Sequence, residues 1–91
     1  MNKGKITRSL KNKGFKETRS KKHLHFVYHD LEDNPTPIMT HISHGSKKDI
    51  GAALFSMMAS QVKLTNAQFS QFIDCVLTQK QYEKILEDQS R

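Results

Sequence analysis

Five histidines, His23, His25, His29, His41 and His44, all lie between positions 23 and 44 of a 91-residue chain. Histidine titrates near neutral pH, so it can give or take a proton without costly tuning. Phosphodiester cleavage needs such transfers at the attacking and leaving oxygens, which makes a strand-borne histidine beside cations a candidate group for RNA cleavage. The same cluster approximates a metal ligand set, with His23 and His25 two apart on one strand face and His41 on a neighbouring strand. No carboxylate or thiolate at ligand spacing joins them. A third reading leaves them as ordinary surface or turn histidines, and His29, beside a turn, fits that reading best.

The cations that such chemistry would use are concentrated at one end. Residues 1–22 carry nine Lys and Arg against Glu17 alone, a net +8, while the remaining residues carry six basic and eight acidic groups, a net −2. A basic third on a nearly neutral remainder suits a polyanion-binding surface, because phosphate contacts need clustered cations. A solvated lysine-rich helix face would give the same count.

The elements that must position these groups follow from periodicity. Ile6 and Leu10 lie four apart and Gly14 stands where a left-handed cap would sit, so a first helix is expected over residues 5–13. Phe15 to Arg19 offers a short strand. His23 to His29 alternates, with Leu24, Phe26 and Tyr28 on a core face and His23, His25, Val27 and His29 on the other. After a polar turn over residues 30–37, Ile38, Thr40 and Ile42 alternate with Met39, His41 and Ser43 in a strand that pairs with the previous one. Ser46 and Asp49 form a capping-box pattern before a helix carrying Ile50, Ala53, Leu54, Met57, Met58 and Val62. Met57 and Met58 are expected in the core, as are Phe69 and Phe72. The pairs Thr65 and Gln68, then Thr78 and Gln81, repeat the capping pattern and predict two more helices or one broken one. Cys75, among Phe72, Ile73, Val76 and Leu77, is expected on a helix as a small hydrophobe without chemistry.

The run Ile6-x-x-x-Leu10-x-x-x-Gly14-Phe15, then Lys22-His23-Leu24-x-Phe26, then Ile42-Ser43-His44-Gly45, then Ile50-Gly51-x-x-Leu54, resembles the HicA toxins of bacterial HicA–HicB toxin-antitoxin systems. The resemblance covers residues 5 to about 62. It implies an α+β fold like the double-stranded-RNA-binding domain, α-β-β-β-α with a three-stranded antiparallel sheet, and metal-independent endoribonuclease activity on messenger RNA. It also implies a HicB-like antitoxin partner that covers the active site, and no cofactor. The family motif, Gly-Ser-x-His or Gly-Gly-His, has the catalytic histidine last. Here the matching stretch is Ser20-Lys21-Lys22-His23, which puts that role on His23, with Ser20 or Lys21 in the place of the glycine.

The expectation is therefore a HicA-like ribonuclease domain over residues 1–62 and a helical C-terminal extension over 63–91 packed on the same domain. His23 would be catalytic, and Arg19, Lys21, Lys22, His25 and His44 would contact RNA. The turn at Ser43 to Ser46 offers a second phosphate site at a helix start. The rival is a non-catalytic RNA-binding module of the same fold. The longest apolar run, Ala52 to Phe55, falls far short of the roughly 20 residues that a membrane span needs. Met1 to Leu10 lacks a signal peptide's apolar core. With the lone Cys75, these features lead us to expect a cytoplasmic protein without a membrane partner.

Overall fold

The computed structural model describes residues 2–43 and 49–90. In chain order the elements are α1 (Lys3–Asn12), β1 (Phe15–Arg19), β2 (His23–His29), β3 (Pro35–Ser43), α2 (Ala52–Gln61), α3 (Asn66–Ile73) and α4 (Gln79–Gln89). The strands form one antiparallel sheet in the order β1-β2-β3. The protein is thus α+β, with a three-stranded sheet and, among the described residues, four helices.

Capping and spacing set the first helix. The Asn2 side chain accepts the Lys5 N–H at 3.0 Å, and Ile6, Ser9 and Leu10 are the buried residues of α1, three or four apart along one stripe. The stripe packs on β1 and α3. Gly14 then turns the chain with φ at 99°, where a Cβ would lie 2.6 Å from the His29 carbonyl oxygen and 2.6 Å from Gln79 Nε2. Neither the backbone angle nor the space admits a side chain. Gly14→Ala is therefore expected to cost about 1–3 kcal/mol, read as a lower urea midpoint at unchanged m-value; an unaltered midpoint would refute this account of the turn.

In β2 the alternation is complete. Leu24, Phe26 and Tyr28 are buried, and His23, His25, Val27 and His29 stay half-exposed. Strand β3 begins at Pro35, three residues before the expected Ile38. As the sheet's edge strand it can take Pro35 and Pro37 without losing a ladder bond. The turn before it is tied by Asp30, whose Oδ1 accepts the N–H groups of Glu32 and Asn34 at 3.0 and 2.9 Å.

Three further expectations are corrected by the fold. Helix α2 does not start after Asp49: its N-cap is Gly51, Ile50 is buried ahead of it, and Asp49 bridges to Asn2. Ser46, the proposed cap, lies outside the described residues. Met58 is in the core, but Met57 is 43% exposed, because α2 turns only a narrow face inward. Cys75 is not on a helix. It is the exposed residue just past α3, with φ at 64°, where its N–H bonds to the Phe72 carbonyl at 3.3 Å and the Val76 N–H to the Gln71 carbonyl at 2.9 Å. These two bonds make a Schellman stop. Lys63, at φ 68°, ends α2 in the same way.

Both later capping boxes form as the sequence suggests, Thr65 with Gln68 and Thr78 with Gln81. Helices α3 and α4 deliver Phe69, Phe72, Ile73 and Tyr82 into the same apolar cluster as Ile6, Leu10 and the inner face of the sheet. Buried polar groups are paired: Ser9 Oγ donates to the Ile73 carbonyl at 2.7 Å, Thr40 Oγ1 to Gln61 Oε1 at 2.6 Å, and the Tyr82 hydroxyl to the Val62 carbonyl at 2.7 Å. The helices pack on the face of Leu24, Phe26 and Tyr28. The opposite face is left open by the described residues.

Candidate functional site

The open face is assembled by register. His25 stands opposite His41 of β3 and opposite Thr18 of β1; His23 stands opposite Ser43, and Val27 opposite Met39 and Lys16. Directly opposed residues of an antiparallel pair point to the same side, so three imidazoles converge. Their ring centroids are 5.2 Å apart for His23 and His41, 5.9 Å for His23 and His25, and 5.9 Å for His25 and His41. The His23 and His41 rings meet edge to face at 84°.

The turn between β1 and β2 fixes the first of these rings. The Ser20 N–H donates to the His23 carbonyl at 2.9 Å, and Ser20 Oγ accepts the His23 N–H at 3.1 Å and lies 3.5 Å from His25 Nε2. Ser20 thereby clamps the start of β2 and reaches the second histidine. His29 faces the same side, but its Nδ1 lies 3.1 Å from the Val27 carbonyl, to which it donates, and it stands apart from the triangle.

The cations divide between the faces. Lys21 and Lys22 sit exposed in the turn immediately before His23. Arg19 does not join them: it stands opposite Leu24, hence on the helix-covered side, with Nε 3.4 Å from Glu17 Oε2. Lys16 is on the open face and is ion-paired with Asp33 at 3.0 Å, an exposed pair of little energetic weight. Two groups stand out that spacing alone did not single out for phosphate chemistry. Lys3 donates from Nζ to the Ser43 carbonyl at 2.9 Å, which brings an ammonium to the strand end opposite His23. His41 completes the triangle. The signal for His41 was its position in an alternating strand; Lys3 was marked only as one of the nine cations of residues 1–22, since its placement depends on where α1 crosses the sheet. His44, and with it the expected phosphate site at Ser43 to Ser46, falls outside the described residues.

Histidine rings, a hydroxyl and lysines on an open surface can bind a phosphate chain and exchange protons with it. Among the described residues, no three His, Cys, Asp or Glu side chains are arranged to hold a metal ion. A groove of about 390 Å³ lined by Asp30, Leu31, Lys80, Glu83 and Glu87 lies at the other end of β2, roughly 20 Å along the strand from His23. Its mixed charge does not extend the histidine site. No helix of the described residues is long and apolar enough to cross a membrane. Comparison of the chain with protein-family models, characterised proteins and solved structures gives no match.

Proposed function

We propose that this protein is a HicA-type toxin, a cytoplasmic endoribonuclease that cleaves messenger RNA without a metal on the open face of its sheet, with His23 as the proton-transfer group. The observation that carries this reading is the position of His23. It lies on the open side of β2, clamped by Ser20, beside Lys21 and Lys22 and within a triangle of imidazoles. The lysines would hold the phosphate and offset the charge that develops on it, while His23 serves the ribose 2′-hydroxyl or the leaving oxygen. The elements α1 to α2, in the order α-β-β-β-α ahead of α3 and α4, are compatible with a fold of the double-stranded-RNA-binding-domain kind, and the face that the described helices leave open is where a HicB-like antitoxin would bind to silence the site.

A second reading is favoured by one feature: Ser20 or Lys21 stands where the family motif has glycine. In that reading the chain binds RNA on the same face without cleaving it. Induction of the wild-type chain and of His23→Ala in bacteria separates the two. Growth arrest with fragmented messages in the wild type alone, and RNA affinity retained by the variant in vitro, is the expected result. Cleavage by the purified variant should fall by about 100-fold or more. Intact messages and normal growth with both chains would leave the binding module.

A further inference from the structure

We propose that His41 is the second proton-transfer residue of the site, paired with His23 so that one ring acts as base and the other as acid on a single phosphodiester. The inference rests on the ribonuclease reading and extends it by one residue. His41 is carried on β3, diagonal to His23 across the strand pair, and its ring is the nearest imidazole to His23, with 5.2 Å between centroids. Neither ring's nitrogens have a hydrogen-bond partner among the described residues, whereas His25 has Ser20 Oγ at 3.5 Å and His29 its backbone carbonyl. Among the described residues, these two rings are thus the closest pair of imidazoles on the open face.

Two rings so placed fit the stereochemistry of the reaction. Attack of a ribose 2′-oxygen on the adjacent phosphorus puts the entering and leaving oxygens on opposite sides of that atom. A nitrogen reaches an oxygen at about 2.6–3.2 Å, and two neighbouring rings on the open face can each serve one of these oxygens for a phosphate seated over the pair. The base takes the proton of the 2′-hydroxyl as the O2′–P bond forms. The P–O5′ bond breaks, and the acid gives its proton to O5′. The products are a 2′,3′-cyclic phosphate and a 5′-hydroxyl end, so charge and protons balance with no further reactant. Among the described residues, the other titratable groups on this face are Lys16 from β1 and His25 and His29 from β2, with Lys21 and Lys22 in the turn before His23 and the Lys3 ammonium on the Ser43 carbonyl. Among the described residues, the carboxylate ion-paired on this face is Asp33, on Lys16.

The test uses the full-length chain with mixed-sequence single-stranded RNA and the variants His41→Ala, His41→Asn, His23→Ala and His25→Ala. The wild type should show a bell-shaped dependence of kcat/KM on pH. Both His41 variants should lose about 10²–10⁴-fold in rate with RNA affinity and melting temperature kept, and should lose one limb of the bell; His25→Ala should keep both limbs. A substrate with sulfur in place of O5′ has a leaving group that needs no acid, and should rescue one and only one of the His23 and His41 variants. Cleavage by His41→Ala at the wild-type rate, or a bell unaltered by its loss, would overturn the pairing and leave the ribonuclease reading standing. Rescue of both variants or of neither would overturn the division of roles. Absence of cleavage by the wild type at every pH would overturn the ribonuclease reading itself, and the pairing with it.

Discussion

A chain ended at Val62 is expected to be unfolded, although it keeps every residue of the HicA resemblance and all five histidines. The expectation follows from where the core residues come from. Phe69, Phe72 and Ile73 of α3 and Tyr82 of α4 are fully buried, and they are not a satellite cluster. Tyr82 lies 4.9 Å from Tyr28 and 4.9 Å from Phe72, and Phe15 lies 6.1 Å from both Phe72 and Tyr82, centroid to centroid. Strand residues Phe15 and Tyr28 would lose these partners together. Removing one such aromatic side chain typically costs about 3–5 kcal/mol, against a total stability of about 5–15 kcal/mol for a small domain. Three aromatics and an isoleucine exceed that margin.

The polar accounts would break at the same time. Ser9 would lose its acceptor on Ile73, and Lys13 would lose the Phe72 carbonyl to which its ammonium donates and the Phe72 ring, whose centre lies 4.6 Å away, so the polar contacts that seat α1 on α3 go with the apolar ones. Far-ultraviolet circular dichroism and amide proton dispersion of residues 1–62 check this directly. A cooperative melt of the truncated chain would show that α3 and α4 merely decorate a domain that stands without them.

The same elements show what a sequence can and cannot reveal. Strand β2 was legible to its end residues, because strict alternation from His23 to His29 leaves only one face to bury. The starts of α3 and α4 were legible because each capping box satisfies two backbone donors by residue type alone. The break between those helices was not, since Cys75 takes a left-handed conformation that glycine would ordinarily announce. Face assignments within one strand transferred to the structure, but those between strands needed the register. Arg19 is close to His23 in sequence, yet the turn at Ser20 places it opposite Leu24, on the covered side. His41 meets His23 and His25 only because the Asp30 turn sets which β3 residue stands opposite His25. Turn geometry, which the side-chain pattern specifies weakly, decided the composition of the site.

Raising the pH above about 10 is expected to unfold the protein steeply, through two buried phenols. Burial pushes the Tyr82 hydroxyl far above the ordinary tyrosine value, and the neighbouring Tyr28 and Glu83 push it the same way. Burial likewise raises Tyr28, helped by its 2.6 Å hydrogen bond to Glu83 and opposed by the Gln79 amide that donates to it at 3.3 Å. In the unfolded chain both phenols ionise near pH 10. Above that pH the native state holds protons that the unfolded state has lost, so stability present below pH 10 drains away as the pH rises toward the native values. Tyr82 alone contributes a slope of about 1.4 kcal/mol per pH unit, so two units remove about 3 kcal/mol from a stability of about 5–15 kcal/mol. Lys13 works in the opposite direction. Burial lowers its pKa below the usual 10.5, so stability rises with pH until the unfolded lysine also loses its proton. That gain ends just where the tyrosine loss begins to grow. Urea midpoints between pH 9 and pH 12 should therefore fall most sharply above pH 10. Tyr82→Phe should cost about 1 kcal/mol at neutral pH, for the hydrogen bond lost to the Val62 carbonyl, and flatten the alkaline fall by one proton's worth. Midpoints that hold level from pH 10 to pH 12 would mean that water reaches these hydroxyls, and that the packing of α4 on the sheet is looser than the 4.9 Å ring contacts describe.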